Sequence, residues 1–300
     1  MELLHLVSAQ EEGMTLQHLL RSVMGLSARE TRTAKQQGGV TVNGAPFFSN
    51  QKVSAGMTVR VQLSSYEGSD TASGAALPAP KVLYEDDALI AVFKPALLQC
   101  HPSPSAPGGT DTLEARVSAY LGRPAHPVHR LDAETTGIVL FAKLPFAQAH
   151  LQAQMQQGTF RKEYRAWCFG VPSPESGEID APIARETPDS FTRVVREDGQ
   201  NAVSRYETLE TVALPDGCLA ALLALSPVTG RTHQLRVHMT HIGCPLLGDQ
   251  RYFTEASHSA SQALGLGYHQ LSAVALHFIH PSTAEPVSIF CEPEFSFSRR

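Results

Sequence analysis

The sequence predicts an α+β fold built from two units. Short segments with strand-like composition recur along the chain, and helical segments are placed irregularly between them rather than after every strand. Residues 64–80 read SSYEGSDTASGAALPAP, a small, polar and proline-rich stretch that is typical of a flexible linker. We therefore predict an N-terminal unit over residues 1–65, a linker over residues 66–80 and a larger unit over residues 81–300.

The N-terminal unit is predicted to contain two helices followed by short strands. Leu16, Leu19, Leu20 and Val23 lie at helical spacing and predict a first helix. A capping box of Ser27 and Glu30 opens a second helix, which ends at Gly38-Gly39. This second helix carries Arg29, Arg32 and Lys35 at successive i+3 steps, a pattern that indicates a basic stripe. A short strand over 40–42, a tight turn at Asn43-Gly44 and returning strands near Val53, Val59 and Val61 complete the unit.

The larger unit is predicted to contain more strands than helices. It begins with a hairpin over residues 82–93, and Asp111 with Glu114 forms a capping box that opens a helix ending at Gly122. The remaining predicted elements are a strand over 138–142, a helix over 145–157, and strands over 160–169, 203–210, 219–226, 274–278 and 287–290.

The bulk composition excludes several classes of protein. The 300 residues are 42% hydrophobic and contain no apolar run long enough to cross a bilayer, and the N-terminus lacks the early basic cluster of a signal peptide. We therefore expect a cytoplasmic protein that does not enter a membrane. The five cysteines are widely separated and include no CxxC pair, which argues against a disulfide framework or a zinc knuckle.

The net charge of −5 does not by itself indicate nucleic-acid binding, but the charge is unevenly distributed. Residues 1–66 hold six basic and four acidic residues, so this part of the chain is at +2 and the remainder is at −7. A local basic surface matters more for binding a polyanion than the global sum does.

Residues 129–137, HRLDAETTG, hold the most informative chemistry of the chain. Asp132 lies two residues after Arg130, in a loop that enters the apolar strand over 138–142. A carboxylate in such a loop can act as a nucleophile, and Arg130 beside it can hold a polyanion. An aspartate at this position is also consistent with an ordinary loop or capping residue.

The pattern HRLDxxTxG resembles the signature loop of the RluA-type pseudouridine synthases, and further segments resemble other blocks of that family in the same order. These are FKP and HPS at 93–95 and 101–103, KEYRA at 162–166, GRTHQLRVH at 230–238 with HIG and PLLGD up to residue 249, and LHFIHP at 276–281. Leu97, Thr136 and Ser272 depart from the commoner family residues. The resemblance spans residues 81 to about 295 and implies a pseudouridine-synthase-like catalytic domain with a mixed, largely antiparallel sheet.

The resemblance also implies roles for individual residues. Asp132 takes the role of catalytic carboxylate, and Arg231 is expected to pair with it and to keep it ionised. Tyr164 is expected to stack on the target base with its hydroxyl near the sugar. Arg130 is expected to fill the gap left by a flipped base, and its neighbour His129 to contact the RNA. Without the resemblance, Arg231 reads as a surface arginine, Tyr164 as a core tyrosine and Arg130 as a plain phosphate contact.

The N-terminal unit resembles the S4 RNA-binding domain over roughly residues 13–63, through LSARE, GGVTVNG and VSAGMTVRV. Ala28 departs from that pattern, in which a basic residue often follows the serine. The resemblance implies that Arg29, Arg32 and Lys35 contact structured RNA. The alternative is that these residues form only a solvated helix face.

Together these features predict an enzyme that isomerises uridines of ribosomal or transfer RNA to pseudouridine, acting as a monomer. The reaction is redox-neutral, so we expect no cofactor. His233, His238 and His241 do not have a recognised metal-ligand spacing, so we expect no metal. Two alternatives remain open: an RNA-binding ribosome-assembly factor with dispensable catalysis, and a hydrolytic N-glycosidase that uses Asp132 and Glu134 as an acid pair.

Overall fold

The computed structural model describes residues 2–26, 28–63, 77–102 and 111–297. The predicted N-cap Ser27 and most of the predicted linker lie outside these ranges. Among the described residues, no helix is both long and apolar enough to cross a bilayer.

The N-terminal unit is a four-stranded antiparallel sheet covered by helices. Its elements are β1 (Glu2–Leu6), α1 (Leu16–His18), a π-helical turn (Leu19–Val23), α2 (Ala28–Gln36), β2 (Val40–Val42), β3 (Ala45–Pro46) and β4 (Thr58–Gln62). The strand order is β1-β4-β2-β3. The predicted first helix is confirmed and widens into the π-helical turn, with Leu16, Leu19 and Leu20 fully buried. Asn43 and Gly44 both have positive φ, which matches the tight turn predicted between β2 and β3.

The larger unit is built on a ten-stranded mixed sheet. Its elements are β5 (Lys81–Glu85), β6 (Leu89–Lys94), α3 (Leu113–Leu121), β7 (His126–Pro127), β8 (Thr136–Ala142), α4 (Pro145–Gln157), β9 (Arg161–Phe169), β10 (Ser176–Asp180), β11 (Ile183–Arg185), β12 (Arg193–Val195), β13 (Val203–Ala213), β14 (Leu219–Pro227), α5 (Gln234–His241), α6 (Glu255–Ala263), β15 (Leu271–Ile279) and β16 (Pro286–Phe290).

The strand order of the large sheet is β10-β13-β14-β9-β15-β8-β6-β5, with β16 beside β15 and β7 beside β8, while β11 and β12 form a separate hairpin. Only β15 and β8 pair in parallel, and the other described pairs are antiparallel. The predicted α+β class with a largely antiparallel mixed sheet is therefore confirmed.

The central strands β6 and β8 are buried over their whole length because helices cover both faces of the sheet. Leu151 of α4 lies in the same apolar cluster as Leu140 of β8. Val117 of α3 packs with Val139, the neighbouring residue whose side chain points to the other face. Helix α3 is capped by Thr112, whose hydroxyl accepts a hydrogen bond from the Ala115 amide, rather than by the predicted Asp111.

Gly137 closes the HRLDAETTG segment where β8 approaches β15 most closely. Its φ is +110°, and a Cβ at this position would lie 2.1 Å from the carbonyl oxygen of Ala273. Any side chain at this position would therefore force the two parallel strands apart. Gly137 therefore allows β8 to pair with β15 directly after the loop that carries Asp132.

Candidate active site

The loop that carries Asp132 is pinned from behind by Lys94, whose side chain is completely buried. Its ammonium donates hydrogen bonds to the carbonyls of Pro95 (2.9 Å), Leu98 (2.8 Å) and Ala133 (2.7 Å). Burial lowers the pKa of Lys94 to about 8, but three carbonyl acceptors require the three N–H groups that only the ammonium form has. Lys94 of the FKP segment therefore ties the segment around residues 94–98 to the residue that follows Asp132.

Arg236 of α5 is the arginine that binds Asp132. Its Nη1 donates to Oδ2 of Asp132 at 3.1 Å. Its Nε and Nη2 donate to the two oxygens of Asp249 at 2.7 and 2.8 Å, a two-pronged contact with a carboxylate that has no solvent exposure. Because Asp249 holds two of the three guanidinium nitrogens, the remaining Nη1 has a fixed direction towards Asp132.

This arrangement corrects the predicted pairing of Asp132 with Arg231. Arg231 lies in the exposed turn before α5, and its Nε donates to the carbonyl of Asn201 at 2.8 Å. Arg236 lies within the helix on a buried face, five residues further along the same GRTHQLRVH block. The block contains two arginines, and the spacing between them does not reveal which one faces the loop. The sequence holds one hint to the correct arginine, which is the acid Asp249 of the PLLGD segment. If this acid is buried, it requires a cationic partner, and an arginine in the buried helix can provide it.

Asp132 is ionised at neutral pH. Its side chain keeps 29% exposure. Burial raises the pKa of this carboxyl, but His233 and Arg236 outweigh burial and lower it overall. Burial also lowers the pKa of His233 to about 4, so the imidazole is neutral at pH 7. Arg236 therefore supplies the permanent positive charge beside the carboxylate, while Nε2 of His233 lies 3.8 Å from Oδ2.

Glu134, the other acid of the loop, points to a different part of the molecule. Its Oε2 lies 2.9 Å from Nδ1 of the fully buried His269, and Nε2 of that ring is 2.8 Å from Oγ1 of Thr135. Glu134 does not line the pocket in which Asp132 lies. The two acids of the loop therefore have different surroundings.

Tyr164 on β9 faces the same pocket as Asp132. The side chain is 7% exposed, and its hydroxyl has no hydrogen-bond partner among the described residues. Burial, followed by the charge of Asp132, raises the pKa of this phenol, so Tyr164 stays protonated at neutral pH. A buried phenol without a partner is free to bond a ligand in the pocket.

The first two residues of the HRLD segment, His129 and Arg130, have different surroundings. Arg130 is exposed and lines the mouth of the pocket. His129 lies behind the loop, where its Nε2 accepts a hydrogen bond from the Leu140 amide at 3.3 Å and its ring packs against Phe160 with ring centroids 5.9 Å apart. Burial lowers the pKa of His129 to about 3, so the ring is neutral. The RNA contact of His129 stays a prediction; in the structure, its ring holds the loop on β8.

The turn before α5 is organised by Gln234. Its Oε1 accepts hydrogen bonds from the Arg231 amide and the Thr229 hydroxyl, and its Nε2 donates to the carbonyl of Val203 and the hydroxyl of Ser204. His233 at the helix start has a φ of +58°, and its Nδ1 is 2.7 Å from the Tyr252 hydroxyl. This turn places Arg231 and His233 on the pocket wall.

His238, one of the histidines considered as a metal ligand, is held by protein groups. His238 is buried, with its two ring nitrogens 2.9 Å from the hydroxyl of Ser204 and the carbonyl of Ala181. In the part of the chain that the structure describes, no three His, Cys, Asp or Glu side chains are grouped so that they could hold a metal ion.

The pocket is an open cavity of about 170 Å³ with an excess of positive charge. Its charged lining residues are Arg130, Asp132, Lys162, Arg231 and Arg236. Among the residues that the structure describes, Asp132 is the only carboxylate in this lining, and Arg236 is already shared between Asp132 and Asp249. The described lining of the pocket therefore combines one ionised carboxylate, one phenol and three further cations.

Comparison with known proteins shows the family to which the chain belongs. Residues 88–241 match the family described as RNA pseudouridylate synthase. An uncharacterized RNA pseudouridine synthase of Mycobacterium bovis is 31% identical over 92% of this chain and 90% of its own length. The ribosomal large subunit pseudouridine synthase C of Vibrio vulnificus is 32% identical over 85% of this chain and 81% of its own. The ribosomal large subunit pseudouridine synthase D of Nitrosomonas europaea is 35% identical over 83% of this chain and 72% of its own.

Two solved human structures are also similar. RNA pseudouridylate synthase domain containing 4 is 26% identical, with a TM-score of 0.56 over 71% of this chain and 88% of that chain. RNA pseudouridylate synthase domain containing 1 is 22% identical, with a TM-score of 0.60 over 74% and 86%, and supports the fold alone. The pocket, the matched blocks and these similarities agree: the chain belongs to the RNA pseudouridylate synthase family, in its RluA-type group, and is an RNA pseudouridine synthase.

Proposed function

We propose that this enzyme isomerises specific uridines of structured RNA, either ribosomal or transfer RNA, with Asp132 as the catalytic carboxylate and with the target base flipped into the pocket. One observation carries the proposal. Asp132 is ionised, is held by the Arg236–Asp249 pair and lies in a pocket with the free hydroxyl of Tyr164.

The chemistry requires this combination of groups. In the isomerisation, the bond from N1 of uracil to C1′ of the ribose breaks and a bond from C5 to C1′ forms, while C5 loses a proton and N1 gains one. No electrons are exchanged with another molecule. An ionised carboxylate assists the first bond cleavage, by direct attack or by stabilising the positive charge that develops on the sugar. Arg236 keeps Asp132 in its ionised form.

Tyr164 is proposed to stack on the uracil and to assist proton transfer through its hydroxyl. We expect Tyr164→Phe to lower kcat by about 10²-fold or more while KM changes little, because the ring surface remains and the proton-transfer group is lost. Steady-state kinetics on the substrate RNA measure both quantities. Tyr164→Leu, which also removes the ring, should in addition raise KM. Full activity of the phenylalanine variant would restrict Tyr164 to packing.

Arg130 is proposed to take the place of the flipped base. A uridine inside folded RNA must leave its stack before Asp132 can reach its sugar, and unstacking costs a few kcal/mol. A planar guanidinium stacks on neighbouring bases and also offsets phosphate charge. Arg130 is exposed at the mouth of the pocket, where it has no partner among the described residues and is available for this role.

The names of the relatives support ribosomal RNA as the first substrate to test. We expect sequencing-based mapping of pseudouridine in cells that lack the gene to show the loss of one or a few sites, and complementation with the wild-type gene to restore them. Sites lost from transfer RNA instead would identify that substrate. If no site is lost while ribosome assembly fails, the assembly-factor alternative holds. Release of free uracil by the purified enzyme would identify an N-glycosidase.

The N-terminal unit over residues 1–65 is proposed to be an S4-like RNA-binding domain, joined by the linker over 66–80 to the catalytic domain over 81–300. Its proposed RNA contacts are Arg29, Arg32 and Lys35 of α2. Arg32 is exposed and Lys35 is half-buried, while the side chain of Arg29 lies outside the described part of the structure.

The salt dependence of RNA binding tests this unit. Each phosphate contact that is lost lowers the slope of log K against log salt by about 0.7 to 0.9. We expect the double variant Arg32→Gln/Lys35→Gln to lower the slope by about 1.5, because two contacts are removed. Arg60→Gln is the matched control: Arg60 belongs to the same unit, but it lies on β4 and pairs with Glu2. An unchanged slope in the double variant would leave α2 as a solvated helix.

A further inference from the structure

Lys162 is a cation of the catalytic pocket that the mechanism does not use. It lies on β9 two residues before Tyr164, so both side chains point to the same face of the strand, and both line the pocket. The side chain is half-buried in the wall of the pocket, and its partial burial lowers its pKa. Among the described residues, its ammonium has neither a hydrogen-bond acceptor nor a carboxylate partner.

An ammonium that lines an open pocket and bonds no described protein group can bind an anionic ligand that enters the pocket. Asp132 and Asp249, the two acids that Arg236 binds, do not fill this role. Asp132 is bonded to Arg236, and Asp249 is bonded to the same arginine. Lys94, the buried lysine behind the loop, instead donates to three carbonyl acceptors, so its ammonium is not free to bind a ligand.

The position of the ammonium points to a second cation. A Cβ at Gly230 would lie 3.7 Å from Nζ of Lys162, so the ammonium lies against the turn before α5. The next residue in that turn is Arg231, whose Nε is held by the carbonyl of Asn201 and whose exposed side chain lines the same pocket. Lys162 and Arg231 therefore form one end of the pocket, and neither of them neutralises the catalytic carboxylate.

We propose that Lys162 and Arg231 form a subsite for a phosphate group that flanks the flipped uridine. This inference rests on the proposed function, because it assumes that a nucleotide enters the pocket. Every nucleotide in RNA carries a phosphate on each side of its sugar, and a base that enters this pocket must bring its backbone to the rim. An ammonium and an exposed guanidinium together match a phosphodiester in charge and in hydrogen-bond donors.

In this subsite, Arg231 binds a phosphate instead of Asp132, which agrees with its position in the exposed turn before α5. It also makes Lys162 a positioning residue, since a fixed phosphate sets the distance from C1′ of the target nucleotide to Asp132. Loss of such a contact should weaken binding of the substrate more than it slows the chemical step.

The test couples a protein change to a change in the RNA. Synthetic RNAs carry the mapped uridine and have a neutral methylphosphonate at the phosphate on its 5′ or its 3′ side. With the wild-type enzyme, we expect one of these two RNAs to raise KM by about 10- to 100-fold, the effect of losing one charged hydrogen bond. We expect Lys162→Gln to raise KM by a similar factor on unmodified RNA, and to show little further loss on that methylphosphonate RNA.

Two control variants separate charge from folding. Lys162→Arg keeps the charge and should recover most of the loss in KM. Arg161→Gln changes the neighbouring residue on β9, which is exposed and points to the opposite face, and should leave KM unchanged. The Lys162→Gln variant should also lower the salt slope by about 0.7, the value for one phosphate of a single strand.

The outcomes are separable from those of the proposed function. If wild-type enzyme fails to convert unmodified RNA that carries the mapped site, the proposed function itself fails. If conversion is normal but the effects of Lys162→Gln and of both methylphosphonates multiply independently, the phosphate subsite is wrong. A fall in kcat with unchanged KM, together with no coupling to either phosphate, would instead make Lys162 a proton carrier and would also overturn the inference.

Discussion

We expect replacement of Asp132 by asparagine to lower the single-turnover rate of pseudouridine formation by about 10³-fold or more and to leave the protein folded. The amide has nearly the same shape as the carboxylate, but it neither attacks the sugar nor carries the charge that stabilises a developing cation. Folding should survive because Arg236 keeps its two-pronged contact with the buried Asp249. The guanidinium is therefore not left as an unpaired buried charge.

Measurement requires the mapped RNA substrate, a direct assay of pseudouridine and a thermal melt of each variant. Glu134→Gln is the matched control, because Glu134 lies two residues away in the same loop but faces His269 instead of the pocket. We expect that variant to keep activity within about threefold of the wild type, since it leaves the pocket lining unchanged. If both substitutions abolish activity to the same extent, the two acids act together, as in the glycosidase alternative. If Asp132→Asn retains substantial activity, the proposed mechanism is wrong.

Replacement of Arg236 by lysine should lower kcat by about 10²-fold, because one ammonium cannot provide the forked contact to Asp249 and the bond to Asp132 at the same time. The matched control is the same substitution at Arg231, because Arg231 does not bond Asp132 in the structure. Arg231→Lys keeps a charge on the pocket rim and removes no contact with Asp132, so we expect only a small effect on kcat. The reverse result would restore the pairing predicted from the sequence and contradict the geometry of α5.

The pH profile provides a second measurement on the same residue. Arg236 lowers the pKa of Asp132, so the carboxylate becomes protonated only in strongly acidic solution and the wild-type rate should decline only there. Removing the positive charge in Arg236→Gln raises the pKa of Asp132, so the acid limb of kcat should move to higher pH. The pKa of His233 is lowered to about 4, so the wild-type profile should show no step near pH 6.5.

Arg236→Gln also tests stability. Asp249 has no solvent exposure, and removing its partner leaves a buried carboxylate unpaired, which destabilises proteins by about 3–5 kcal/mol. The variant should therefore melt at a lower temperature than Asp132→Asn. Kinetics must be measured well below that melting temperature so that the shift of the acid limb reports the charge beside Asp132 rather than unfolding.

The sequence alone predicted much of the architecture, because its signals are local. Alternating or continuous apolar segments predicted the strands of the large sheet, and the spacing of Leu16, Leu19 and Leu20 predicted the first helix. Asn43-Gly44 predicted the turn between β2 and β3 from the backbone conformations that those two residues allow. The ordered blocks of the family pattern predicted which loop would hold the acid and which strand would hold Tyr164.

The tertiary structure decided which side chains meet. Arg231 and Arg236 occur in one motif, and only the direction of α5 and the burial of Asp249 show that Arg236 binds the loop acid. Similarly, His129 and Arg130 are neighbours in sequence, but one packs behind β8 and the other lines the pocket. The sequence by itself determined the helices and strands, because these elements follow from local periodicity. The partners of Asp132 depend on contacts across about a hundred residues, which local periodicity does not encode.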